Sequence, residues 1–426
     1  MSLALPLTAA ELARNAALDS ELASIVNDPE MPLASLSVAA IRDGKVIYQR
    51  AFGYRWIDNA DPAKSKPANT ETLYRVASIS KVETALGVMR LVEQGKLDLD
   101  ADISKYLGMR IRNPHFPDVP VTLRTMLSHT SSLRDDAGYV SGADHDMVKF
   151  LASGGKMWSE KGPPGAYFAY CNLNSGVVGT IIEKVTGERF DRYMKRAVID
   201  PLGLSGGYNA AEMPKERVDN MATLYRKATA GDDQVWNPKG PWIAQADDYS
   251  SEPPPERAGP NYVVGTNGAI FSPQGGLRAS TADLARVMRM FMGHGTLDGK
   301  RFLSPKTIEG MYARQWKYDG TNGESWRNAM QAWGLGLQRV VDASAPASGD
   351  RLVEAGGFSP IGHSGDSYGL HGGFWFDPDK NEGLIFLAGG TGADPDTQPG
   401  RYSGKHRYEE RIVDAIYRRA LRGPAN

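Results

Sequence analysis

The sequence predicts an α+β protein: an antiparallel sheet assembled from both ends of the chain, flanked by helices, around a middle that is mostly helical. Three observations lead there. Asp43-Gly44 sits between Leu36–Ile41 and Lys45–Phe52, a strong β-hairpin signal near the N-terminus. A series of strand-like segments crowds the last quarter of the chain. Residues 80–290 carry helical periodicity interrupted by long loops.

The elements follow in order. Thr8-x-x-Glu11 is a capping box that opens an N-terminal helix. After the hairpin, Val82, Leu86, Met89 and Val92 give an apolar stripe, and Gly95 closes that helix. Residues 205–265 are rich in Pro, Gly and aromatics, including Trp236, Trp242, Tyr249 and Tyr262. A long loop of this kind in a compact domain is usually functional or disordered. It is expected to roof a pocket, or else to be a solvated excursion or an oligomer contact. Trp333–Val341, Ile361–Gly365, Gly369–Phe376 and Gly383–Ala388 read as strands, and Tyr408–Leu421 as an amphipathic terminal helix. No internal repeat is evident.

Composition narrows the function classes. The chain has 426 residues, 41% hydrophobic, with 49 basic and 50 acidic side chains. A near-neutral balance with no clustered basic face argues against a nucleic-acid surface. No apolar run approaches membrane-spanning length. One cysteine, Cys171, excludes an internal disulfide and leaves the compartment open. Met1–Thr8 lacks a basic n-region and a long apolar core, so no signal peptide is expected there; a trimmed chain would look the same. There is no H-E-x-x-H and no paired cysteines, hence no expected metal or other cofactor. The expected partner is a small-molecule ester or amide; the oligomeric state is open.

Ser78-Ile79-Ser80-Lys81 carries the chemistry. A serine hydroxyl is a poor nucleophile until a neighbour takes its proton. If a helix starts at Ser78, Lys81 lies one turn on, over it. The helix dipole and desolvation would both lower the lysine pKa toward neutrality. The Ser78 backbone N–H would face an incoming oxyanion. The pattern alone also fits a surface serine and lysine, and Ser153-Gly154-Gly155-Lys156 matches it too, although two glycines mark that copy as a loop. Tyr170 opens the Tyr-x-Asn of Tyr170-Cys171-Asn172. A tyrosine beside a lysine cation can hold phenolate character and relay a proton. The Asn172 amide can bond both a substrate carbonyl and Lys81. A core tyrosine with its hydroxyl satisfied is the plainer reading. Cys171 reads as a small buried hydrophobe. His129 reads as structural, and His115, His145 and His294 carry no assignment.

The longer strings around these residues add a resemblance. Thr72–Lys81 (TLYRVASISK) with Leu91–Asp100 (LVEQGKLDLD) resembles the serine β-lactamase and penicillin-binding-protein superfamily, nearest its class C β-lactamase-like branch of family VIII carboxylesterases, D-aminopeptidases and DD-peptidases. Leu123–Leu133 (LRTMLSHTSSL) is similar to a helix-start segment of that branch, with Ser132 where glycine is usual. Pro163–Asn172 and the Gly275-Gly276-Leu277 and Ser280–Leu284 segments match in order, so the resemblance spans about residues 35–390.

The resemblance implies a sheet domain from 1–79 and 291–426, with 80–290 inserted as the mostly helical part. It implies Ser78 as nucleophile with Lys81 and Tyr170 as proton-handling groups. Asn172, His363, Ser364 and Gly365 would bind substrate, with His363 in place of the usual lysine of K-[ST]-G. The second oxyanion N–H would come from Asp366, whose side chain would have to point away from the developing charge. A neutral histidine weakens a β-lactamase reading and leaves a short-acyl carboxylesterase ahead of a D-aminopeptidase or DD-peptidase; a penicillin-binding receptor or scaffold without turnover is the other class. Gly365-Asp366-Ser367-Tyr368-Gly369 also fits G-x-S-x-G, but Leu370–Asp377 reads as a strand where a nucleophile elbow needs a helix. His371 falls inside that strand.

Overall fold

The computed structural model describes residues 9–139 and 142–422. The N-terminal helix is α1 (Ala9–Val26); Met1–Thr8, including Thr8 of the expected capping box, lie outside the described residues. The hairpin strands are β1 (Ser35–Arg42) and β2 (Lys45–Trp56), turning at Asp43 and Gly44 with φ of +50° and +67°. A helix, α2 (Ser80–Glu93), follows a single 3-10 turn at Ala77–Ile79. Further on come α3 (Leu173–Thr186) and α4 (Thr281–Met292). The C-terminal strands are β3 (Ile361–Ser367), β4 (Leu370–Asp377) and β5 (Glu382–Ala388), and α5 (Arg407–Ile416) continues into a π-helical turn at Tyr417–Arg422.

The two ends of the chain meet in one nine-stranded sheet whose centre runs β3-β4-β5-β1-β2. β1 pairs antiparallel with β5 from Leu36↔Ala388 to Arg42↔Glu382. Side chains alternate across a strand, and here the alternation divides the core. Leu36, Val38 and Ala40 face Leu18, Leu22, Ile412 and Ile416 of α1 and α5. Ala39 and Ile41, with Phe374, Phe376 and Ile385, face Val82 of α2 and Val287, Met288 and Phe291 of α4. The second face continues into the helical middle, and the Ser78–Lys81 segment lies there.

Two sequence expectations need correction. Trp333–Val341 is not one strand: Ala332–Trp333 and Gln338–Arg339 pair with each other antiparallel, Trp333 opposite Gln338. Gly336 turns the chain at φ +71°, its N–H held by the Leu127 carbonyl. Residues 205–265 are not a plain loop either. Leu224–Thr229 pairs with Asp232–Trp236 and with Trp242–Ala246 and lies parallel to Gly390–Thr391. Gly231, at φ +85°, supplies the tight turn that a composition-based reading passes over.

Candidate active site

Ser78 lies in the 3-10 turn that feeds α2, and between Thr72 and Met89 it alone is not buried. N–H groups in a first helical turn lack intrahelical partners, so this turn offers donors where the hydroxyl emerges. Ala77, just before it, takes a left-handed φ of +49°, an uncommon conformation for a non-glycine residue. β3 packs against the same turn. A Cβ at Gly365 would stand 2.5 Å from the Val76 carbonyl, so only glycine lets the strand come this close.

Lys81 is almost fully buried, and its Nζ has three neighbours: Ser78 Oγ at 2.9 Å, Asn172 Oδ1 at 2.8 Å and the Gln274 carbonyl at 3.0 Å. Asn172 Oδ1 and a backbone carbonyl only accept hydrogen bonds. They take two N–H bonds of the amine, and the third direction faces Ser78. In the neutral amine that direction is a lone pair, placed to accept the serine proton. Burial pulls the Lys81 pKa down to about 7 against the opposing charge of Asp135, so the neutral form is available near pH 7.

Tyr170 is held by aromatic contacts. It stacks on His129 with centroids 4.5 Å apart and meets Trp333 and His363 at 5.8 and 6.1 Å. Its hydroxyl hydrogen-bonds Ser78, and Lys81 Nζ lies 4.9 Å from its ring centre. The expected phenolate character is not supported. Burial pushes the hydroxyl well above its ordinary value, beyond what the Ser78 bond offsets, so the resting group is a neutral phenol. His129 is buried and accepts from the Cys171 N–H at 3.1 Å, a structural role. Cys171 is buried too.

Asn172 owes its position to a residue that sequence reasoning missed. The Asp135 carboxylate accepts from Asn172 N at 3.0 Å, Asn172 Nδ2 at 2.9 Å and Leu173 N at 2.9 Å, capping α3 from outside. Its bond to Nδ2 fixes the amide with Oδ1 toward Lys81. No periodicity marks Asp135, and the other missed group, the Gln274 carbonyl, carries no side-chain signal at all.

On β3 the His363 ring faces Tyr170 and Trp333 at the site, and the side chains of Ser364 and Asp366, one residue out of step, alternate to the other face. Ser367 and Leu370 flank a two-residue turn, Tyr368-Gly369, with φ of +56° and +85°. The pair next to such a turn is hydrogen-bonded and pairs alternate from there. Asp366↔His371 is therefore a non-hydrogen-bonded pair, and the Asp366 N–H is turned away from β4, toward the edge beside Ser78. The Asp366 carboxylate meets His371 Nε2 at 3.4 Å.

His363 is neutral, as expected, and stays so further into acid than an ordinary histidine. Burial, then the nearby Lys81, lowers its pKa to about 3, so it does not become a cation in mildly acidic solution. Its Nδ1 lies 2.6 Å from the Ser364 carbonyl, which requires the proton on Nδ1. Among the described residues Nε2 is left a buried acceptor without a partner. The two decoys separate cleanly: Ser153 is exposed at the end of a short helix, with Gly154 and Gly155 at positive φ, and Ser367 ends β3 before a strand.

Ser78, Tyr170, Asn172, His363 and Asp366 share a cavity of about 770 Å³. Its other wall comes from the 205–265 region through Gln245, Asp247, Tyr249 and Arg257, and exposed Tyr139, Trp326 and Tyr368 stand among its lining residues. One group among the described residues has metal-ligating spacing, His371, His406 and Glu409, whose ligand atoms lie within 4.8 Å. Those atoms are engaged: His406 Nδ1 with Glu409 Oε2 at 2.8 Å in the capping box of α5, and His371 Nδ1 with the Tyr408 hydroxyl.

An antiparallel sheet with helices on both faces and a Ser-x-x-Lys, Tyr-x-Asn and His-Ser-Gly gathered at one cavity defines the serine β-lactamase and penicillin-binding-protein class. The comparisons agree: a family model described as Beta-lactamase matches residues 28–407, and the chain belongs to that family. Penicillin-binding protein 4* of Bacillus subtilis (strain 168) is 31% identical over 199 residues, 44% of this chain and 41% of that protein. Penicillin-binding protein 4 of Amycolatopsis lactamdurans is 26% identical over 68% of each chain. The chain thus matches less than half the length of the first of these relatives. Among solved structures, the octameric penicillin-binding protein homologue from Pyrococcus abyssi superposes with a TM-score of 0.63 at 25% identity, covering 89% of this chain and 74% of that one. SurE with D-Leu shares the fold, with a TM-score of 0.60 at 20% identity, covering 97% of this chain and 77% of that one. No helix among the described residues is long and apolar enough to cross a membrane.

Proposed function

We propose that this chain is a serine hydrolase working through an acyl-enzyme, with short-acyl esters as its preferred substrates. The observation that carries the reading is the three-way bonding of Lys81 Nζ, which leaves its lone pair for Ser78 Oγ. Ser78 Oγ attacks the carbonyl carbon while its proton passes to Lys81. The oxyanion rests on the N–H groups of Ser78 and Asp366. Tyr170, a neutral phenol bonded to Ser78, hands a proton to the departing alkoxide, and the Lys81 ammonium beside its ring returns one to it. The ester C–O bond breaks and the acyl group stays on Ser78. Water then attacks this acyl-enzyme, Lys81 again takes the proton, and the acid leaves with Ser78 restored.

A neutral His363 favours esters over β-lactams, since it supplies no cation for a carboxylate next to the scissile bond. One observation supports a second reading. The unpartnered Nε2 of His363 is an acceptor, and an amide N–H of a D-residue peptide would satisfy it where an ester offers no donor. Two of the similar proteins, a penicillin-binding protein 4 and SurE solved with D-Leu, point the same way. Kinetic constants for p-nitrophenyl esters, D-amino acid amides and nitrocefin decide between them. Esters should lead by at least tenfold in kcat/KM. Leading amides would move the assignment to a D-peptidase, and nitrocefin in the lead would overturn the role given to His363.

A further inference from the structure

At one wall of the cavity two guanidinium groups close on one carboxylate, and a third, Arg257, lines the cavity beside them. Asp247 Oδ1 accepts from Arg75 Nη2 at 2.7 Å and Arg278 Nη2 at 2.6 Å, and Oδ2 accepts from Arg75 Nε at 3.2 Å and Arg278 Nε at 3.0 Å. The Tyr249 hydroxyl adds a fifth bond at 2.9 Å. Asp247 is thereby saturated, and each of those two arginines has spent its forked edge on it.

Arg257 is different. It is half-buried, and its Nη1 bonds the Ile270 carbonyl at 3.2 Å and Ser272 Oγ at 3.3 Å. Among the described residues it has no ion pair, and its Nε and Nη2 have no hydrogen-bond partner. Those two nitrogens form the edge of a guanidinium that binds a carboxylate bidentately. Two fixed cations stand nearby, and their one shared carboxylate is already used. The acidic side chain beside them, Asp248, is exposed and bonds the Ser250 N–H at 3.1 Å. Arg257, Arg75, Ser272 and Gln274 all line the cavity that holds Ser78. Ser272, which anchors Arg257, lies two residues before Gln274, whose carbonyl binds Lys81.

We propose that Arg257 forms an anion subsite, which binds a carboxylate carried by the substrate at a distance from the scissile bond. This rests on the hydrolase reading above and adds the substrate class: esters or amides of acids with a second, remote carboxylate, or of alcohols that carry one. The subsite lies on the wall built by the 205–265 region and His363 on β3, so a neutral His363 and an anionic substrate are compatible. Tyr139, Trp326 and Tyr368 supply apolar surface in the same cavity for the connecting part of such a substrate.

The test compares charged and neutral substrates of matched length. One arm uses p-nitrophenyl hemiesters of succinate, glutarate and adipate against the p-nitrophenyl esters of the corresponding methyl-terminated acids. A second uses 4-acetoxybenzoate against phenyl acetate, which places the carboxylate on the leaving side. The wild type should prefer at least one carboxylate substrate by tenfold or more in kcat/KM, and added salt should reduce the preference. Arg257→Gln should lower that charged-to-neutral ratio at least tenfold, and Arg257→Lys should retain part of it. Arg257→Glu should reverse the preference toward a substrate ending in an ammonium group.

A wild-type enzyme that hydrolyses the neutral esters and shows no carboxylate preference in either arm overturns the subsite and leaves the hydrolase reading standing. If neither esters nor D-amino acid amides are turned over, the hydrolase reading fails, and calorimetry with glutarate decides the subsite separately. Binding that weakens at least tenfold in Arg257→Gln supports it, and no binding, or equal binding by both proteins, overturns it.

Discussion

Lys81 and Arg278 are both buried cations close to the same cavity, and they behave in opposite ways. Arg278 shares Asp247 with Arg75, and the pair holds that carboxyl far below the usual range despite its burial. Charge balanced inside the fold stays charged, and this cluster acts as scaffold. It ties Arg75, three residues before Ser78, to Arg278 and to the wall of the 205–265 region. Among the described residues Lys81 has no carboxylate within ion-pair distance. Asp135, which acts on it through space, spends its oxygens on the N-terminus of α3 and on Asn172. Burial then drives Lys81 toward the neutral amine. The difference lies in where the carboxylate sits: placed on the cation it makes a brace, and held one residue away behind an amide it leaves a base. Glu83, also on α2, is the acidic counterpart. It is fully buried, neither oxygen is bonded to another residue among those described, and burial raises its pKa to about 8.

The most severe way to break this contrast is to exchange the two kinds of cation. Lys81→Ala should lower the rate of ester hydrolysis by about 10²–10⁴-fold, the range for loss of an acid–base group. Lys81→Arg should be no better, because a guanidinium keeps its proton throughout the accessible pH range. Activity near wild type in Lys81→Arg would show that charge, not basicity, is what this position supplies. Tyr170→Phe should fall in the same range, and the double variant should be little worse than the poorer single, since groups that act as one unit are not additive. Fully multiplicative losses would show two independent roles.

Removing the carboxylate from the scaffold should cost stability instead. Asp247→Asn strands two buried guanidiniums, and breaking a buried pair from one side costs about 3–5 kcal/mol. Urea unfolding of both proteins at pH 7 measures it; a loss under about 1 kcal/mol would mean that the cluster is as weak as a surface ion pair.

Glu83 sharpens the comparison from the acidic side, with an effect on the order of 2–4 kcal/mol. Between the unfolded value near 4.5 and the folded value of about 8, the folded chain keeps a proton that the unfolded chain has released. Stability should therefore be fullest below about pH 4.5 and decline as pH rises toward 8. In Glu83→Gln that part of the decline should vanish. An unchanged slope across pH 5–8, measured by thermal unfolding, would show that Glu83 does not stay protonated.

Much of this was legible in the sequence. The Asp43-Gly44 turn, the Gly95 stop and the β3–β5 strands are local signals that need only neighbouring residues. Ser78 and Lys81 are joined by one helical turn, so their geometry follows from spacing. Asp135 and Asn172 are joined by folding alone, and the Gln274 carbonyl would look the same under any side chain. Those contacts decide the state of Lys81, and neither leaves a trace in a pattern of residue types. Charge was misjudged for the same reason. Tyr170 beside a lysine suggests a phenolate only while the lysine is taken as a cation. The Trp333–Val341 strand failed at Gly336, where a positive φ folds the segment back on itself. The 205–265 region failed because its strands are short and end in turns that composition alone reads as loop.

The central claim is that Ser78 is acylated with neutral Lys81 as its base. It is tested most directly by the pH dependence of covalent labelling with a fluorophosphonate, with the adduct located by peptide mass mapping. The label should sit on Ser78. Because the base works only when deprotonated, the labelling rate should rise about tenfold per pH unit at low pH and level off above a midpoint near 7, the value to which burial brings Lys81. A label on Ser367 or Ser153, or a midpoint near the ordinary lysine value of about 10.4, would contradict the account.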